Sequence, residues 1–557
     1  MEDRRLGLVG PHRTLALSAT PREPGLAGLK ETPTSSSGRP EHSELDPETP
    51  AARLRFATLV TALFVAATVP RLLLHELWRD EAWQWLVALE SRSLPQLFAD
   101  VKRGGGIGYV FPVLTYGAKQ ISTSPLALQA LHGILAAAAA FVFCAWAPLA
   151  RRDRALFVLG YFPFYEYAVI SRSYAVGALL LWLACAATRA RRPAWKVGLA
   201  LAALCQTTIY GYLLAIAVAC GALLDRFLHR DRLAPLLPTA AAAGAAVALL
   251  GFIAGPLEFA PAPGTSVLPW YLTPDLGRLR GTLLTVWRAF VPVPKPGLHF
   301  WNTGALAGVG SLEVWAGALI LVLAIALLAR SRVAWITFAT GAAALLLFAY
   351  AYLPSAARHH GHLWLLFGAA LWLGRGVGLR ETPASWRALT LTVLLAVHAA
   401  AGVYASAMDI LHPFSNGAAT AALLRRNGLD RAPLLGHREP PAATVALYLG
   451  QALYSPSRKA YVTHPDWGPL QREMSDAELR CAARELALQE RQDVVLVINR
   501  ELPPWPEIES AGATRGAINA TEDYTLYWLR LARLPSTTPE ARCPAEGAAA
   551  NSLDSRP

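Results

Sequence analysis

Long apolar blocks separated by short polar segments occupy most of this chain, from residue 56 to residue 406. The blocks are continuous apolar runs without helical or strand spacing, so we predict that each one is a membrane-spanning helix. Several of them lie at the short end of the length that a span requires. The eleven predicted spans are residues 56–74, 126–149, 155–170, 174–188, 194–209, 212–228, 235–254, 314–328, 334–353, 363–377 and 389–406.

The basic residues of the short loops set the predicted orientation of these spans. Arg53 and Arg55 precede the first block, and a basic cluster at residues 151–154 follows the second. Short loops rich in Arg and Lys face the cytoplasm, which places the N-terminus inside and the region after the last block outside. The apolar run 109–121 is short and contains Pro112, and the count of crossings requires it to lie on the outer leaflet.

The polar segments outside the spans predict the domain organisation. The first fifty residues are rich in Pro, Ser, Glu and Gly, which is typical of disorder. Beyond the last span, helical segments alternate with short strand-like runs, which indicates a small α/β domain. The predicted segments are a disordered cytoplasmic tail (1–52), the transmembrane domain (53–408) with outer loops 75–124 and 255–312, an extracytoplasmic α/β domain (409–534) and a disordered tail (535–557).

One segment of the second outer loop has helical spacing. Leu276, Leu279, Leu283 and Trp287 fall on one face of a helix over residues 275–290. An amphipathic helix of this kind is expected to lie at the membrane interface, where it could cover a pocket.

The composition agrees with an all-α polytopic membrane protein. The chain has 557 residues, of which 54% are hydrophobic and 16% are charged, whereas soluble domains carry about 25% charged residues. The net charge of +12 comes largely from arginines in short loops, so it does not indicate nucleic-acid binding. The six cysteines have no metal-ligand spacing.

Two adjacent carboxylates follow the first span directly. Asp80 and Glu81 lie just beyond the apolar block, where a charge costs far less than in hydrocarbon. Neighbours on a helix point about 100° apart, so only one of the two can face a given pocket. Such a carboxylate could act as an acid or a base. The alternative is that the charges are solvated within an interfacial belt formed by Trp78, Trp83 and Trp85.

Two further polar groups fall on the predicted outer face. Glu166 lies near the outer end of the third block, with Arg172 in the following turn as a candidate partner. Arg358, His359 and His360 lie between two spans, where a cation and imidazoles suit a phosphate group. The alternatives are a structural Glu–Arg pair and a solvated loop, respectively.

These features together resemble the GT-C superfamily of lipid-linked-sugar glycosyltransferases, which includes protein O-mannosyltransferases, aminoarabinose transferases and the catalytic subunits of oligosaccharyltransferases. The resemblance rests on the motif Arg79-Asp80-Glu81-Ala82-Trp83 after the first span, the non-crossing run 109–121 and the turn Ser171-Arg172-Ser173-Tyr174. It covers residues 56–406 as architecture, and it implies a GT-C-like protein of about eleven transmembrane helices in a bacterial plasma membrane.

The resemblance also implies an activity and roles for residues. A sugar would pass from a polyprenyl-phosphate donor to a glycan, lipid or protein acceptor at the outer face, with inversion. A carboxylate would deprotonate the acceptor hydroxyl, with Asp80 as the first choice and Glu81 as the second. The residues assigned to the substrate are Arg358 with His359 or His360 at the phosphate, Glu166 and Arg172 along the pocket, and Trp83.

Two departures from the superfamily pattern concern metals and activity. Residues 106–112 lack the histidine of a His-Pro motif, and residues 171–173 lack a second acidic motif. These differences count against a divalent metal without excluding it, and no cofactor is assigned. Two other functions remain open: a non-catalytic membrane protein that binds lipid-linked glycans or scaffolds envelope assembly, and a transporter. Few charged residues lie in the middle of the predicted spans, which argues against a transporter.

Overall fold

A computed structural model describes most of the chain. It covers residues 49–104, 107–190, 193–228, 238–260, 270–309, 311–352, 356–374, 385–465 and 473–534. The predicted disordered tails, 1–52 and 535–557, lie outside these residues except for the first turn of the first helix.

Helices dominate the described residues, and seven of them are long and apolar enough to cross a membrane. The protein is therefore an integral, multi-pass membrane protein. The helices are α1 (Pro50–Leu74), α2 (Arg79–Glu90), α3 (Leu94–Gly104), α4 (Val110–Lys119), α5 (Pro125–Trp146), α6 (Arg151–Val158), α7 (Tyr174–Arg189), α8 (Ala194–Cys205), α9 (Ile209–Leu228), α10 (Pro238–Phe259), α11 (Leu276–Phe290), α12 (Ser311–Leu328), α13 (Arg332–Ala351), α14 (Ala357–Leu373), α15 (Trp386–Leu411), α16 (Gly417–Arg426), α17 (Glu439–Leu449) and α18 (Asp476–Glu490).

Each predicted span coincides with a helical segment, but not all segments have the length of a span. The seven long helices are α1, α5, α9, α10, α12, α13 and α15. Helices α7, α8 and α14 have 16, 12 and 17 residues. The third predicted span is broken, because α6 ends at Val158 and a π-helical turn follows over Tyr161–Glu166. The number of eleven crossings therefore remains a prediction.

The helices outside the long spans were partly predictable. The non-crossing run 109–121 forms α4, and the amphipathic segment forms α11, whose first turn is capped by the side chain of Asp275. Helix α3 was not predicted, because its only apolar signal is a short stripe that includes Leu97 and Val101, both buried.

Small residues let helices α8 and α10 approach each other closely. A side chain at Gly198 would place its Cβ 2.2 Å from the carbonyl oxygen of Gly244. A side chain at Gly251 would meet the Cα of Ala202 at 2.4 Å. Close backbone approach through small residues is a common way for membrane helices to associate.

This crossing predicts that Gly198→Val destabilises the membrane domain. The added carbon atoms must push α8 away from α10, and overpacking typically costs about 1–3 kcal/mol. Thermal unfolding followed by size-exclusion chromatography should show a lower midpoint and less monodisperse protein. Gly117→Val in α4 is the control, because no atom lies within 4 Å of its Cβ position. Equal effects of both changes would contradict the assigned crossing.

The C-terminal part forms a small mixed sheet flanked by helices, as predicted. The strand order is β3-β2-β1-β4-β6-β5, in which β1 pairs in parallel with β2 and β4 and the other pairs are antiparallel. Strand β4 is buried throughout and forms the centre of the sheet. The strands are β1 (Leu434–Gly436), β2 (Leu453–Ser455), β3 (Ala460–Val462), β4 (Val494–Ile498), β5 (Ile508–Thr514) and β6 (Tyr524–Leu529).

This α/β domain holds the segment between α1 and α2 in place. Helix α17 packs on α2, and the backbone N–H of Leu77 donates to the hydroxyl of Tyr448 over 2.9 Å. The N–H of Arg79 donates to a carboxylate oxygen of Glu522 over 2.8 Å. The acidic motif is therefore positioned by residues of the C-terminal domain.

Candidate active site

Asp80 lies in the first turn of α2 with three guanidinium groups around it. Its carboxylate is 2.8 Å from Nη1 of Arg172, 3.4 Å from Nη2 of Arg358 and 3.8 Å from Nε of Arg79. Arg172 comes from the turn before α7 and Arg358 from the first turn of α14. The turn and the two helix ends thus converge on one carboxylate, which is 7% exposed.

The charges of this cluster do not balance. Burial alone would raise the pKa of Asp80, but Arg172 and Arg358 outweigh it and hold that pKa below the usual value. One ionised carboxylate and three guanidinium groups leave a net charge of about +2. Among the described residues, the buried Nε atoms of Arg79, Arg172 and Arg358 have no hydrogen-bond partner. The cluster therefore suits an anion with several acceptor oxygens.

A divalent cation does not fit this cluster. Three guanidinium groups repel it, and both oxygens of Asp80 already face Arg side chains. Within the described ranges, no group of three or more His, Cys, Asp or Glu side chains could hold a metal ion.

Glu166 lies beside this cluster but has other partners than Arg172. The indole N–H of Trp301 donates to Oε2 of Glu166 over 3.1 Å, and the hydroxyl of Tyr161 donates to the same oxygen over 3.4 Å. The Trp301 ring packs edge-on against Trp78 at 4.9 Å, and the guanidinium of Arg358 lies 5.3 Å from the Trp78 ring. Glu166 is therefore held by Trp301 and Tyr161, and Trp301 in turn packs against Trp78 beside the Asp80 cluster.

Glu81 belongs to a separate, fully buried cluster. Its Oε2 lies 3.0 Å from Nε2 of His75, and its Oε1 accepts from the backbone N–H of Ser171. The other ring nitrogen of His75 lies 3.2 Å from both oxygens of Asp409 in α15. Although burial opposes protonation, the carboxylates of Asp409 and Glu81 raise the pKa of His75 to about 10. This cluster connects the end of α1 with α2 and α15.

Comparisons with known proteins give similar structures but no family. No family model matches the chain, and no curated protein matches it. ArnT from Cupriavidus metallidurans is similar in its apo state (TM-score 0.47, 14% identity, 87% of this chain and 100% of that one). The same protein bound to undecaprenyl phosphate gives a TM-score of 0.46 at 13% identity, over 85% and 97% of the chains.

A larger protein is also similar to this chain. The arabinofuranosyltransferase AftD from Mycobacteria gives a TM-score of 0.34 at 14% identity. The match covers 86% of this chain and 40% of that one.

The histidines near Arg358 point in different directions. His359 stacks on Tyr210 with ring centroids 4.8 Å apart, and its Nδ1 accepts from the N–H of Ala356 over 3.4 Å. His360 is buried and lines a cavity of about 290 Å³ under α11, together with Arg278 and Arg288. Of the predicted phosphate-binding set, only Arg358 contacts the Asp80 cluster directly.

Trp83 lies outside the Asp80 cluster. Its ring packs with Val87, Leu97 and Val101, and its indole N–H donates to the carbonyl of Pro465 over 3.0 Å. It lines a second cavity, of about 250 Å³, between α2, α3 and the α/β domain.

Several residues of the site are not among those predicted from the sequence. Arg79 belongs to the acidic motif, and its proximity to Asp80 follows from the sequence. His75, Asp409 and Glu522 were not identified, because their contacts join segments hundreds of residues apart. The sequence signal of His75 and Asp409 is an ionisable residue at or near the outer end of a span, whereas Glu522 lies in the α/β domain between β5 and β6.

Proposed function

We propose that this protein is a membrane glycosyltransferase that moves a sugar from a polyprenyl-phosphate donor to an acceptor hydroxyl at the outer face. The observation that carries the proposal is the ionised Asp80 enclosed by Arg79, Arg172 and Arg358, with a net charge of about +2. The topology that we propose has the N-terminus in the cytoplasm and the α/β domain outside.

The proposed reaction follows from the presence of one carboxylate and three guanidinium groups in the same cluster. The guanidinium groups would bind the donor phosphate by charge-assisted hydrogen bonds. The acceptor oxygen would attack the anomeric carbon while Asp80 takes the hydroxyl proton. The bond between the anomeric carbon and the phosphate oxygen would break, and the guanidinium groups would stabilise the departing polyprenyl phosphate. A single displacement of this kind inverts the anomeric configuration.

The donor itself would prepare the base. In the described structure, Arg172 and Arg358 hold the pKa of Asp80 low, which keeps the carboxylate ionised but makes it a weak base. A phosphate bound to the same guanidinium groups would share their charge and so raise the basicity of Asp80. Proton transfer would then become favourable only when a donor is bound.

The other assigned residues would support the donor from several sides. His360, two residues after Arg358, lines the cavity under α11 together with Arg278 and Arg288, and this cavity would take a polar part of the donor. Glu166 and Glu81 would act as positioning residues, since Trp301 and His75 occupy their carboxylates.

One observation favours a non-catalytic role as the second candidate. Both oxygens of Asp80 are engaged by guanidinium groups and Glu81 is fully enclosed. The same cluster could therefore bind a lipid-linked glycan without transferring its sugar.

We expect Arg358→Gln to weaken binding of undecaprenyl phosphate about 10- to 100-fold. Hydrogen bonds to charged groups contribute roughly 1.5–3 kcal/mol, and Arg358 is one of three cations at the site. Native mass spectrometry of the purified protein with titrated lipid would measure the change. Arg152→Gln is the control, because Arg152 is an exposed arginine. Equal affinity in both variants would place the lipid phosphate elsewhere.

Transfer of a radiolabelled sugar tests the proposal itself. Membranes that contain the wild type would be supplied with polyprenyl-phosphate hexoses and pentoses, and label in glycan, lipid and protein fractions would be counted. Label transferred by the wild type but not by membranes without the protein would establish the glycosyltransferase. Binding of undecaprenyl phosphate without transfer from any donor would favour the non-catalytic alternative.

A further inference from the structure

The cavity beside Trp83 is separate from the Asp80 cluster and is formed by two parts of the fold. One side comes from α2 and α3, with Trp83, Asp100 and Arg103. The other side comes from β3 and the segment after it, with Tyr461 and His464 among its lining residues. Its volume of about 250 Å³ lies just below the range of roughly 300–1,000 Å³ that is typical of small-molecule sites.

The charges that line this cavity compensate each other. The carboxylate of Asp100 pairs with the guanidinium of Arg103. Arg458 pairs with Glu439 at 2.6 Å. Burial is the main cause that lowers the pKa of His464, which disfavours the charged form of its ring. In contrast to the Asp80 cluster, this cavity therefore has no excess of positive charge to attract a phosphate.

One buried acceptor in the cavity lacks a partner. Oδ2 of Asp100 has no hydrogen bond among the described residues, although the residue is only 3% exposed. An unpaired buried carboxylate oxygen costs free energy. Since this oxygen has almost no accessible surface, a ligand hydroxyl would satisfy it once the Asp100 side chain, which lines the cavity, turns toward the ligand. The exposed hydroxyl of Thr463 lines the same space.

Aromatic rings complete the lining. Tyr461 is 44% exposed, and its hydroxyl donates over 3.1 Å to Glu490, which is not a lining residue of the cavity. The Trp83 ring is fixed by its hydrogen bond to Pro465 and by Gly104, where a Cβ would lie 2.3 Å from Cζ2 of the ring. The cavity is neutral and combines aromatic side chains with an unpaired carboxylate oxygen. This is the chemistry of a site for a ligand ring that carries several hydroxyl groups.

We propose that this cavity binds one sugar ring of a glycan acceptor, with Asp100 accepting from a sugar hydroxyl and Tyr461 providing an apolar platform. The inference rests on the proposed function and assigns its acceptor to the saccharide class. Asp80 and Trp83 lie three residues apart on α2, a rise of about 4.5 Å along the helix. The same helix therefore contributes one residue to the Asp80 cluster and another to the cavity lining.

Two substitutions at Tyr461 test the platform. Tyr461→Ala removes the ring, whereas Tyr461→Phe keeps the ring and removes only a hydroxyl that bonds outside the cavity, to Glu490. In transfer assays with a saccharide acceptor, we expect the alanine variant to raise the KM for the acceptor at least about fivefold. The phenylalanine variant should resemble the wild type, and the KM for the donor should stay constant in both.

Asp100→Asn tests the carboxylate in a different way. It keeps the size of the side chain and loses the charge that accepts most strongly from a hydroxyl. We expect the KM for the acceptor to rise about tenfold with kcat nearly unchanged. Since Arg103 is half exposed, the loss of its partner should not unfold the protein, and thermal unfolding would verify this.

A binding measurement separates this inference from the proposed function. Saturation-transfer NMR of the purified full chain with methyl glycosides of mannose, galactose and arabinose requires no turnover. Binding that is lost in Tyr461→Ala and kept in Tyr461→Phe supports the saccharide site, even if no donor is ever used. Transfer activity with an unchanged acceptor KM in Tyr461→Ala and Asp100→Asn, and no saccharide signal, would overturn the site and leave the glycosyltransferase intact.

Discussion

Replacing Asp80 by asparagine is expected to lower the rate of sugar transfer by roughly 10²–10⁴-fold, the usual contribution of a general base. The same change should leave the affinity for polyprenyl phosphate unchanged or higher. The reason is electrostatic: removal of the carboxylate raises the net charge of the cluster from about +2 to about +3. A loss of kcat combined with tighter lipid binding is a result that a structural role of Asp80 does not produce.

The experiment compares initial transfer rates with lipid affinity in the same preparations. Glu76→Gln is the control, because Glu76 lies close to Asp80 in sequence but accepts from the N–H of Ala418 in the α/β domain. Thermal unfolding would report whether three guanidinium groups without their carboxylate destabilise the fold. Full transfer activity in a folded Asp80→Asn protein would exclude Asp80 as the base and require a different residue in that role.

Replacing His75 by alanine is expected to destabilise the protein by about 3–5 kcal/mol, the usual cost of removing one partner from a buried charge pair. Glu81 and Asp409 would remain buried with no cation between them. Because Glu81 also accepts from Ser171, the damage should spread to the turn that carries Arg172. Thermal unfolding in detergent would measure the effect, with His412→Ala in a partly exposed position as the control.

The same cluster predicts a dependence of stability on pH. The pKa of His75 is raised from 6.5 to about 10 in the folded protein. Its contribution to stability is therefore complete below pH 6.5 and is lost as the pH rises through about 10. In the His75→Ala protein, this part of the decline between pH 6.5 and 10 should be missing. Parallel curves for the wild type and the variant would show that the imidazole is not charged in the fold.

Local patterns were sufficient to predict most elements of the fold. Continuous apolar runs gave the positions of the long helices, and the spacing of Leu276, Leu279 and Leu283 gave α11. Helical segments that alternate with short strand-like runs indicated the α/β domain, which contains β4 and β6. The break in the third predicted span was not predictable in this way, because a π-helical turn does not change the hydropathy of the segment.

Which residues belong to the site was largely predictable, but which of them contact each other was not. Asp80 and Arg358 were expected to share one cavity, and they are 3.4 Å apart. Arg172 was predicted to pair with Glu166 because that carboxylate is nearer in sequence. Its ion pair is with Asp80 instead. Which neighbour a side chain meets depends on packing between segments that a single sequence does not relate.

The hydrogen bond between Arg79 and Glu522 has a consequence for the biogenesis of the protein. The two residues are 443 positions apart, and at about 5–20 residues per second a ribosome needs roughly 20–90 s to synthesise the chain between them. During that time the first helices have already left the ribosome, while the backbone that carries Asp80 still lacks its carboxylate anchor. A nascent or truncated chain that stops before Glu522 therefore holds the segment around Arg79 without this hydrogen bond.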